Sequence, residues 1–101
     1  MVSEADFDVV RRLLVESDVA ISEAGVGGFG SWYVYTALSP RLGIVWDGRD
    51  RRLTVCREGE RLWAGRRVWD DLWAAREPNE IDPHLAVERL LDFRGSDGSP
   101  S

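Results

Sequence analysis

The sequence predicts an α+β fold in which an N-terminal helix, an antiparallel meander of three to four strands and a C-terminal helix or helices form two layers. Three observations predict it. Apolar side chains recur at helical spacing over residues 4–16, alternate with a period of two from residue 31, and return to helical spacing over residues 83–93. Because each helix presents one apolar face, we expect the helices to cover one face of the sheet.

The chain of 101 residues is long enough for one core, so residues 1–94 are expected to form a single domain. The sequence GSDGSPS at 95–101 predicts a disordered tail. No apolar run approaches the roughly 18 residues of a membrane span, and the first fifteen residues carry charges where a signal peptide has an apolar core. We therefore expect a cytoplasmic protein without membrane contact.

The helix at 4–16 follows from Phe7, Val10 and Leu14, which fall on one helical face. Residues 18–24 are ambiguous, since they suit either a short extended piece or the frayed end of the helix. Four glycines between residues 25 and 30 then predict a break in regular structure.

The stretch GVGGFGS at 25–31 places Gly25, Gly27 and Gly30 at the spacing of a nucleotide-binding loop. Such loops need a helix start behind the phosphates or, in kinases, a lysine on a later strand. Here a strand follows the loop, and the chain contains no lysine. We favour a flexible hinge between the first helix and the sheet, with Phe29 packing on the core.

The first strand follows the hinge, with Trp32 and Val34 on one face and Tyr33 and Tyr35 on the other. The buried face is expected to include Trp32, because its strand neighbours at the same period are apolar. Trp46, on the second strand, is expected in the core for the same reason.

The later strands are separated by short turn signals. Ser39-Pro40 predicts a turn, and strands at 42–46 and 53–56 follow it. The sequence EGE at 58–60 predicts another turn, after which residues 61–64 would form a fourth strand. Short connections of this kind favour an antiparallel meander.

The segment 66–76 permits two assignments. As a helix it gathers its large apolar side chains on one face, whereas as a strand it places an aspartate on each face. We favour the helix, and the strand stays open. Asp82 as N-cap and Pro83 as the first helical residue predict the start of the last helix.

Few residues are candidates for catalysis or metal binding. Cys56 is the only cysteine and His84 the only histidine, so an internal disulfide is impossible and a metal site is not expected. Cys56 is interpreted as a small buried apolar group within a strand, and His84 as a solvated group near a helix start. Neither has a motif that would orient it for catalysis. We expect no enzyme activity, no metal and no cofactor.

Arginines and tryptophans are each concentrated in short segments of the chain. The net charge of −5 disfavours bulk nucleic-acid binding, although the arginine-rich loop at 47–52 offers a local basic patch. Three of the five tryptophans fall within eleven residues and are flanked by arginines, and both residue types are enriched in binding hot spots. The predicted partner-binding residues are Trp63, Trp69, Asp70, Asp71, Trp73, Arg76, Glu77 and Glu80.

The segment TALSPRLGIVWDG at 36–48, together with the flanking helices, resembles small immunity proteins of bacterial polymorphic toxin systems. Those proteins are short, often acidic and cytosolic, and some of them neutralise a toxin by occluding its active site. The resemblance implies a non-enzymatic inhibitor whose acidic surface, including Asp70, Asp71, Glu77 and Glu80, meets a basic toxin.

The function expected from the sequence is therefore that of a non-catalytic protein-binding domain whose partner is another protein, such as a toxin. A homodimer with a structural or scaffolding role, which would use the same tryptophans, is the alternative. A nucleic-acid-binding module that uses the hairpin at 47–52 is less favoured.

Overall fold

The computed structural model describes residues 4–96 and has the predicted order of helix, sheet and helix. Its helices are α1 (Glu4–Glu16) and α2 (Pro83–Ser96). Its strands are β1 (Ile21–Val26), β2 (Trp32–Thr36), β3 (Leu42–Asp47), β4 (Arg52–Trp63) and β5 (Arg66–Ala75). A single 3₁₀ turn, Gly28–Gly30, joins β1 to β2.

The five strands form one antiparallel sheet whose order is β1-β2-β3-β4-β5. Each strand pairs with the strand that precedes it in the chain, as a meander requires. The α+β class and the antiparallel meander are therefore confirmed, with β1 as an additional strand formed by a segment that the sequence left ambiguous.

The core lies between the two helices and one face of the sheet. Phe7 and Leu14 of α1 and Leu90 of α2 are buried against the alternating apolar positions of the strands. The ring of Phe7 lies 5.5 Å from that of Trp32, centroid to centroid. The predicted burial of Trp32 and Trp46 is confirmed, since both belong to this cluster.

The start of α2 agrees with its sequence signals. Pro83 is the first helical residue, and the Oδ1 atom of Asp82 accepts a hydrogen bond from the backbone N–H of His84 at 2.9 Å. This satisfies one of the unpaired N–H groups of the first turn. The helix continues to Ser96, and residues 97–101 of the predicted tail lie outside the described residues.

The preference for a helix over residues 66–76 is wrong, because Arg66–Ala75 is the edge strand β5. The objection to a strand was an aspartate on each face. At this edge both carboxylates are ion-paired, Asp71 with Arg52 at 2.8 Å and Asp70 with Arg61 at 3.2 Å. Neither aspartate therefore has to be buried without a partner.

The turn predicted at 58–60 is also wrong, since β4 passes through it with a shift of register. The turn of this hairpin is instead Ala64-Gly65, between the paired residues Trp63 and Arg66. Both turn residues have positive φ, at 52° and 79°. That combination is typical of the two-residue turns that match the twist of a β-hairpin.

The glycine-rich stretch differs from the predicted hinge in two respects. Gly25 lies within β1, so regular structure extends into the stretch. Phe29 is 76% exposed, and the prediction that it packs on the core is wrong. Its backbone has a left-handed φ of 60°, and the guanidinium of Arg49 lies over its ring at 5.8 Å. The side chain therefore packs beside the β3–β4 connection, outside the core.

Candidate functional site

The face of the sheet opposite the helices carries a row of aromatic rings. Tyr33 and Tyr35 of β2 point to this face, because their neighbours Trp32 and Val34 point into the core. Each tyrosine lies across a glycine of the adjacent strand, Gly25 for Tyr33 and Gly43 for Tyr35. A Cβ atom on Gly25 would stand 2.7 Å from the Tyr33 hydroxyl, and one on Gly43 would stand 2.5 Å from the Tyr35 ring. The glycines thus provide the space in which the rings lie.

The row extends across the sheet to β5. The rings of Tyr33 and Tyr35 are 4.9 Å apart, and the rings of Tyr35 and Trp69 are stacked at 4.6 Å with 21° between their planes. We call Tyr33, Tyr35 and Trp69 the ring ladder. All three residues are half-buried, so the ladder still presents aromatic surface to solvent.

Arg41 adds a fixed positive charge to the ring ladder. Its guanidinium lies 5.4 Å from the ring centroid of Trp69 and 6.0 Å from that of Tyr35. Its Nη2 atom also donates a hydrogen bond to Glu58 Oε2 at 2.6 Å. That hydrogen bond raises the pKa of Arg41, and burial raises the pKa of the Tyr35 phenol. The charge and the phenol proton are both retained at neutral pH.

Cys56 lies on the same face and is only 5% exposed. In the register of the sheet it stands between Gly43 of β3 and Asp71 of β5. Burial, with a smaller contribution from the Asp71 carboxylate, raises the pKa of its thiol to about 12. The expectation of a buried, apolar cysteine is confirmed, and such a thiol is a weak nucleophile at neutral pH.

The end of the β4–β5 hairpin projects beyond the rest of the sheet. β3 pairs with residues 52–57 of β4, and past this point β4 and β5 continue as a two-stranded ribbon. We call residues 61–67 the hairpin tip. It exposes two large apolar side chains, Leu62 at 68% and Trp63 at 77%. Three arginines accompany them, namely Arg61, Arg66 and Arg67.

The structure distributes the predicted partner-binding residues over several places. Trp63 belongs to the hairpin tip and Trp69 to the ring ladder. Trp73 packs against the core, opposite Val55. Asp70 and Asp71 lie on β5 in the ion pairs described above, whereas Arg76, Glu77 and Glu80 lie in the exposed connection between β5 and α2. One hairpin therefore unites the first five, and the last three are separate.

The arginine-rich segment 47–52 forms the β3–β4 connection. The Oδ1 atom of Asp47 accepts hydrogen bonds from the backbone N–H groups of Arg49 and Asp50, at 3.0 and 3.1 Å. Arg52 is held by Asp71, as described above, and Arg49 stacks on Phe29. Two of the three arginines in this segment thus already have partners within the chain.

The remaining candidate features give little indication of a catalytic, metal or membrane site. His84 is exposed, with its Nδ1 atom 3.5 Å from Asp82 Oδ1. Within residues 4–96, no group of three or more histidine, cysteine or acidic side chains is placed to hold a metal ion. Neither described helix is long and apolar enough to cross a membrane.

Sequence reasoning missed Tyr33, Tyr35, Arg41 and Leu62 as surface residues of interest. The period-two pattern already placed both tyrosines on the face opposite Trp32. What the pattern lacked was the register, which sets Gly25 and Gly43 under the two rings and brings Trp69 beside Tyr35. Long-range pairing decides that register.

The ring ladder and the hairpin tip have to be interpreted from their own geometry. They consist of exposed or half-buried aromatic side chains accompanied by arginines, a composition enriched at binding surfaces. The chain matches no known protein family, and no curated protein or solved structure is significantly similar to it.

Proposed function

We propose that this chain is a non-catalytic, cytoplasmic protein-binding domain that inserts its hairpin tip into a cleft of another protein. The observation that carries the proposal is the pair Leu62 and Trp63, which are 68% and 77% exposed at the end of a projecting ribbon. Neighbouring apolar side chains in such a position add nothing to the core. Exposed apolar groups of this kind mark interaction sites, and tryptophan is a frequent anchor.

The charge of the hairpin tip indicates the chemistry of the partner. Residues 61–67 contain three arginines and no acidic residue, although the chain as a whole carries a net charge of −5. Arg61 is paired with Asp70, so the excess positive charge of the tip comes from Arg66 and Arg67. A cleft with an apolar pocket and an acidic rim would complement this tip. Opposite potentials would speed the encounter, while burial of Trp63 would supply most of the affinity.

The ring ladder supports the proposal as a second contact. Trp69 lies on the same hairpin, six residues along the chain from Trp63, and is held by Tyr35 and Arg41. A side chain fixed by stacking loses little conformational freedom on binding. The ladder would therefore form a preorganised surface next to the inserted tip.

An immunity-type inhibitor is the specific form of this function that we propose. A projecting hairpin is suited to occlude the active site of a toxin. The acidic contact implied by the resemblance would then depend on Glu77 and Glu80, because the charges of Asp70 and Asp71 are compensated by arginines of this chain. The basic tip and these acidic residues would meet different parts of the partner.

Site-specific photo-cross-linking in the host tests the proposal. A benzoylphenylalanine placed at position 63 should cross-link to one defined partner protein. The same group at Val15, which is 61% exposed on α1, serves as the matched control and should not. Absence of any cross-link from position 63 would contradict the proposal.

The purified partner then allows a quantitative test. Trp63→Ala should weaken binding at least about tenfold, since a central tryptophan commonly contributes 2 kcal/mol or more, roughly thirtyfold in affinity. Glu88→Ala, on the exposed side of α2, should leave binding unchanged. If the partner is a toxic enzyme, the wild-type chain should abolish its activity and Trp63→Ala should not.

The homodimer remains the second candidate, favoured by the position of β5 at the edge of the sheet. An edge strand can pair with the same strand of a second copy. In that case the cross-link from position 63 would join two copies of this chain. Sizing at micromolar concentration would then show a dimer in the absence of any other protein.

A further inference from the structure

A cleft of about 450 Å³ lies apart from the hairpin tip, at the end of the sheet where three connections meet. The 3₁₀ turn contributes Phe29 and Gly30, and the β3–β4 connection contributes Gly48 and Arg51. The rest of the lining consists of Trp46 and three residues of the β5–α2 connection, which are Arg76, Pro78 and Ile81. Its volume is within the range of small-molecule sites.

Two of the three connections that line this cleft are fixed to each other. The backbone N–H of Gly48 donates a hydrogen bond to Ser31 Oγ at 2.9 Å, which ties the β3–β4 connection to the residue after the 3₁₀ turn. The approach is so close that a Cβ atom on Gly48 would collide with the Phe29 carbonyl. Two segments separated by seventeen residues therefore interlock, and this side of the cleft is preformed.

The side chains of the two arginines in the lining differ from those of Arg41 and Arg52. Among residues 4–96, neither Arg51 nor Arg76 makes a hydrogen bond or an ion pair, whereas Arg41 and Arg52 are held by Glu58 and Asp71. The described lining contains no acidic residue. Arg51 also has a left-handed φ of 52°, a conformation that is uncommon for a side chain of this size and is enriched at binding sites.

The rest of the lining is apolar. Trp46 belongs to the core and also borders the cleft, and Ile81 is partly buried beside it. Guanidinium groups bind carboxylates and phosphates through paired hydrogen bonds, and aromatic and aliphatic walls bind flat or short apolar groups. The lining thus combines an apolar wall with two arginines that form no ion pair among residues 4–96.

We propose that this cleft binds a small organic anion, whose carboxylate or phosphate lies between Arg51 and Arg76 and whose ring or short apolar chain lies against Trp46 and Ile81. The site is independent of the hairpin tip, so the domain combines a protein-binding surface with a small-molecule site. The glycine-rich turn takes part by supplying a wall through Phe29 and Gly30, without a helix start behind it.

An NMR titration with four probes tests this proposal. The probes are 1-naphthyl phosphate, 1-naphthoate, neutral 1-naphthol and inorganic phosphate. The two naphthyl anions should shift the amide signals of residues 28–30, 48–51, 76–77 and 79–81. Their dissociation constants should be at least about tenfold lower than those of 1-naphthol and inorganic phosphate, because only the anions use both parts of the cleft. The comparison of the two anions identifies the preferred oxyanion.

Three variants connect the binding to the two arginines. Arg51→Gly removes a guanidinium at a position where glycine adopts the left-handed backbone without strain, and Arg76→Gln removes the other. Each should weaken binding of the naphthyl anions about tenfold. Arg66→Gln, at the hairpin tip, makes the same change in net charge and should alter the dissociation constant less than twofold.

The proposal fails if neither naphthyl anion shifts those amides at millimolar concentration. It also fails if 1-naphthol binds as tightly as the anions, since the cleft would then be only an apolar patch. Equal affinity of the wild type and the Arg51→Gly, Arg76→Gln double variant would likewise overturn it. Amide dispersion in the free variants shows that each one is folded.

Discussion

The two faces of the sheet are built from the same strands, yet they are covered in different ways. On one face, α1 and α2 bury alternate residues such as Ile44 and Val55 completely. On the other, the rings of Tyr35 and Trp69 are stacked, and Cys56 of the intervening β4 is almost as well buried. A strand residue can therefore be buried without a second layer, provided that neighbouring side chains reach across the sheet.

The face covered by the helices and the face covered by the aromatic rings depend on different properties of the sequence. The helix-covered face depends on apolar volume, because a deleted side chain leaves a cavity. The ring-covered face depends on the absence of side chains at Gly25 and Gly43, because this absence leaves space for the rings of Tyr33 and Tyr35. Removing atoms should therefore destabilise the first face, and adding atoms should destabilise the second.

The largest expected effect belongs to the helix-covered face. Leu14→Ala, at a fully buried position of α1, should lower the free energy of unfolding by about 3–5 kcal/mol. Urea denaturation measures this change. Val15→Ala is the matched control one residue later on the exposed side, and it should change stability by less than about 0.5 kcal/mol. Similar losses in both variants would contradict the placement of α1.

Adding one methyl group to the ring-covered face should have the next largest effect. In Gly43→Ala, the new Cβ would stand 2.5 Å from Cδ1 of Tyr35, so the ring must move and its stacking on Trp69 must change. We expect a loss of about 1–3 kcal/mol, which is usual for overpacking. Near-ultraviolet circular dichroism should report the altered stack.

Gly27→Ala is the control for this substitution. Its Cβ would be 3.9 Å from the nearest side-chain atom, and its φ of −131° suits any residue. Stability should change by less than about 0.5 kcal/mol. If Gly43→Ala were as stable as Gly27→Ala, the ring of Tyr35 would not lie over Gly43.

The pH dependence of stability should report the burial of Cys56. The thiol pKa rises from 9.0 to about 12 on folding, so between these values the unfolded chain loses a proton that the folded chain retains. The stabilisation is complete below pH 9 and is lost as the pH rises toward 12. Relative to Cys56→Ala, the wild type should lose up to about 1.4 kcal/mol per pH unit in that window. Parallel curves for the two proteins would contradict a buried thiol.

The smallest expected effect on stability belongs to the hairpin tip. Because Trp63 is 77% exposed, Trp63→Ala should change the free energy of unfolding by less than about 0.5 kcal/mol. The same substitution at Trp69, which is stacked on Tyr35, should lower the free energy of unfolding by more than about 1 kcal/mol. It removes both the aromatic pair and the apolar area that the ring buries. A large loss at position 63 would show that the tip packs against the domain.

Sequence reasoning predicted most of the fold, because helix faces and strand alternation are local patterns. The segment that it assigned to the wrong class, 66–76, contains β5, whose strand state depends on pairing with β4 and on the arginines that meet its aspartates. Those contacts join residues far apart in the chain. Phe29 was misplaced for a related reason, since only the left-handed backbone and Arg49 show where its ring lies.

The candidate surfaces were predicted less completely. The concentration of tryptophan and arginine directed the prediction to the β4–β5 hairpin, where Trp63 is exposed and Trp69 is half-buried. Trp73, in contrast, packs against the core, and this could not be predicted without knowing the register between β4 and β5. The cleft at Arg51 and Arg76 lies between connections that are distant in sequence, and no local sequence pattern predicts that these connections lie close together.

The order of the strands also has a consequence for how the chain folds. Since every strand pairs with its predecessor, the sheet can grow one hairpin at a time, and each step closes a short loop at small entropic cost. The contact between α1 and α2 is different, because it joins opposite ends of the sequence. Topologies with mainly local pairing fold quickly. We therefore expect the sheet to form first and the docking of the two helices to set the rate.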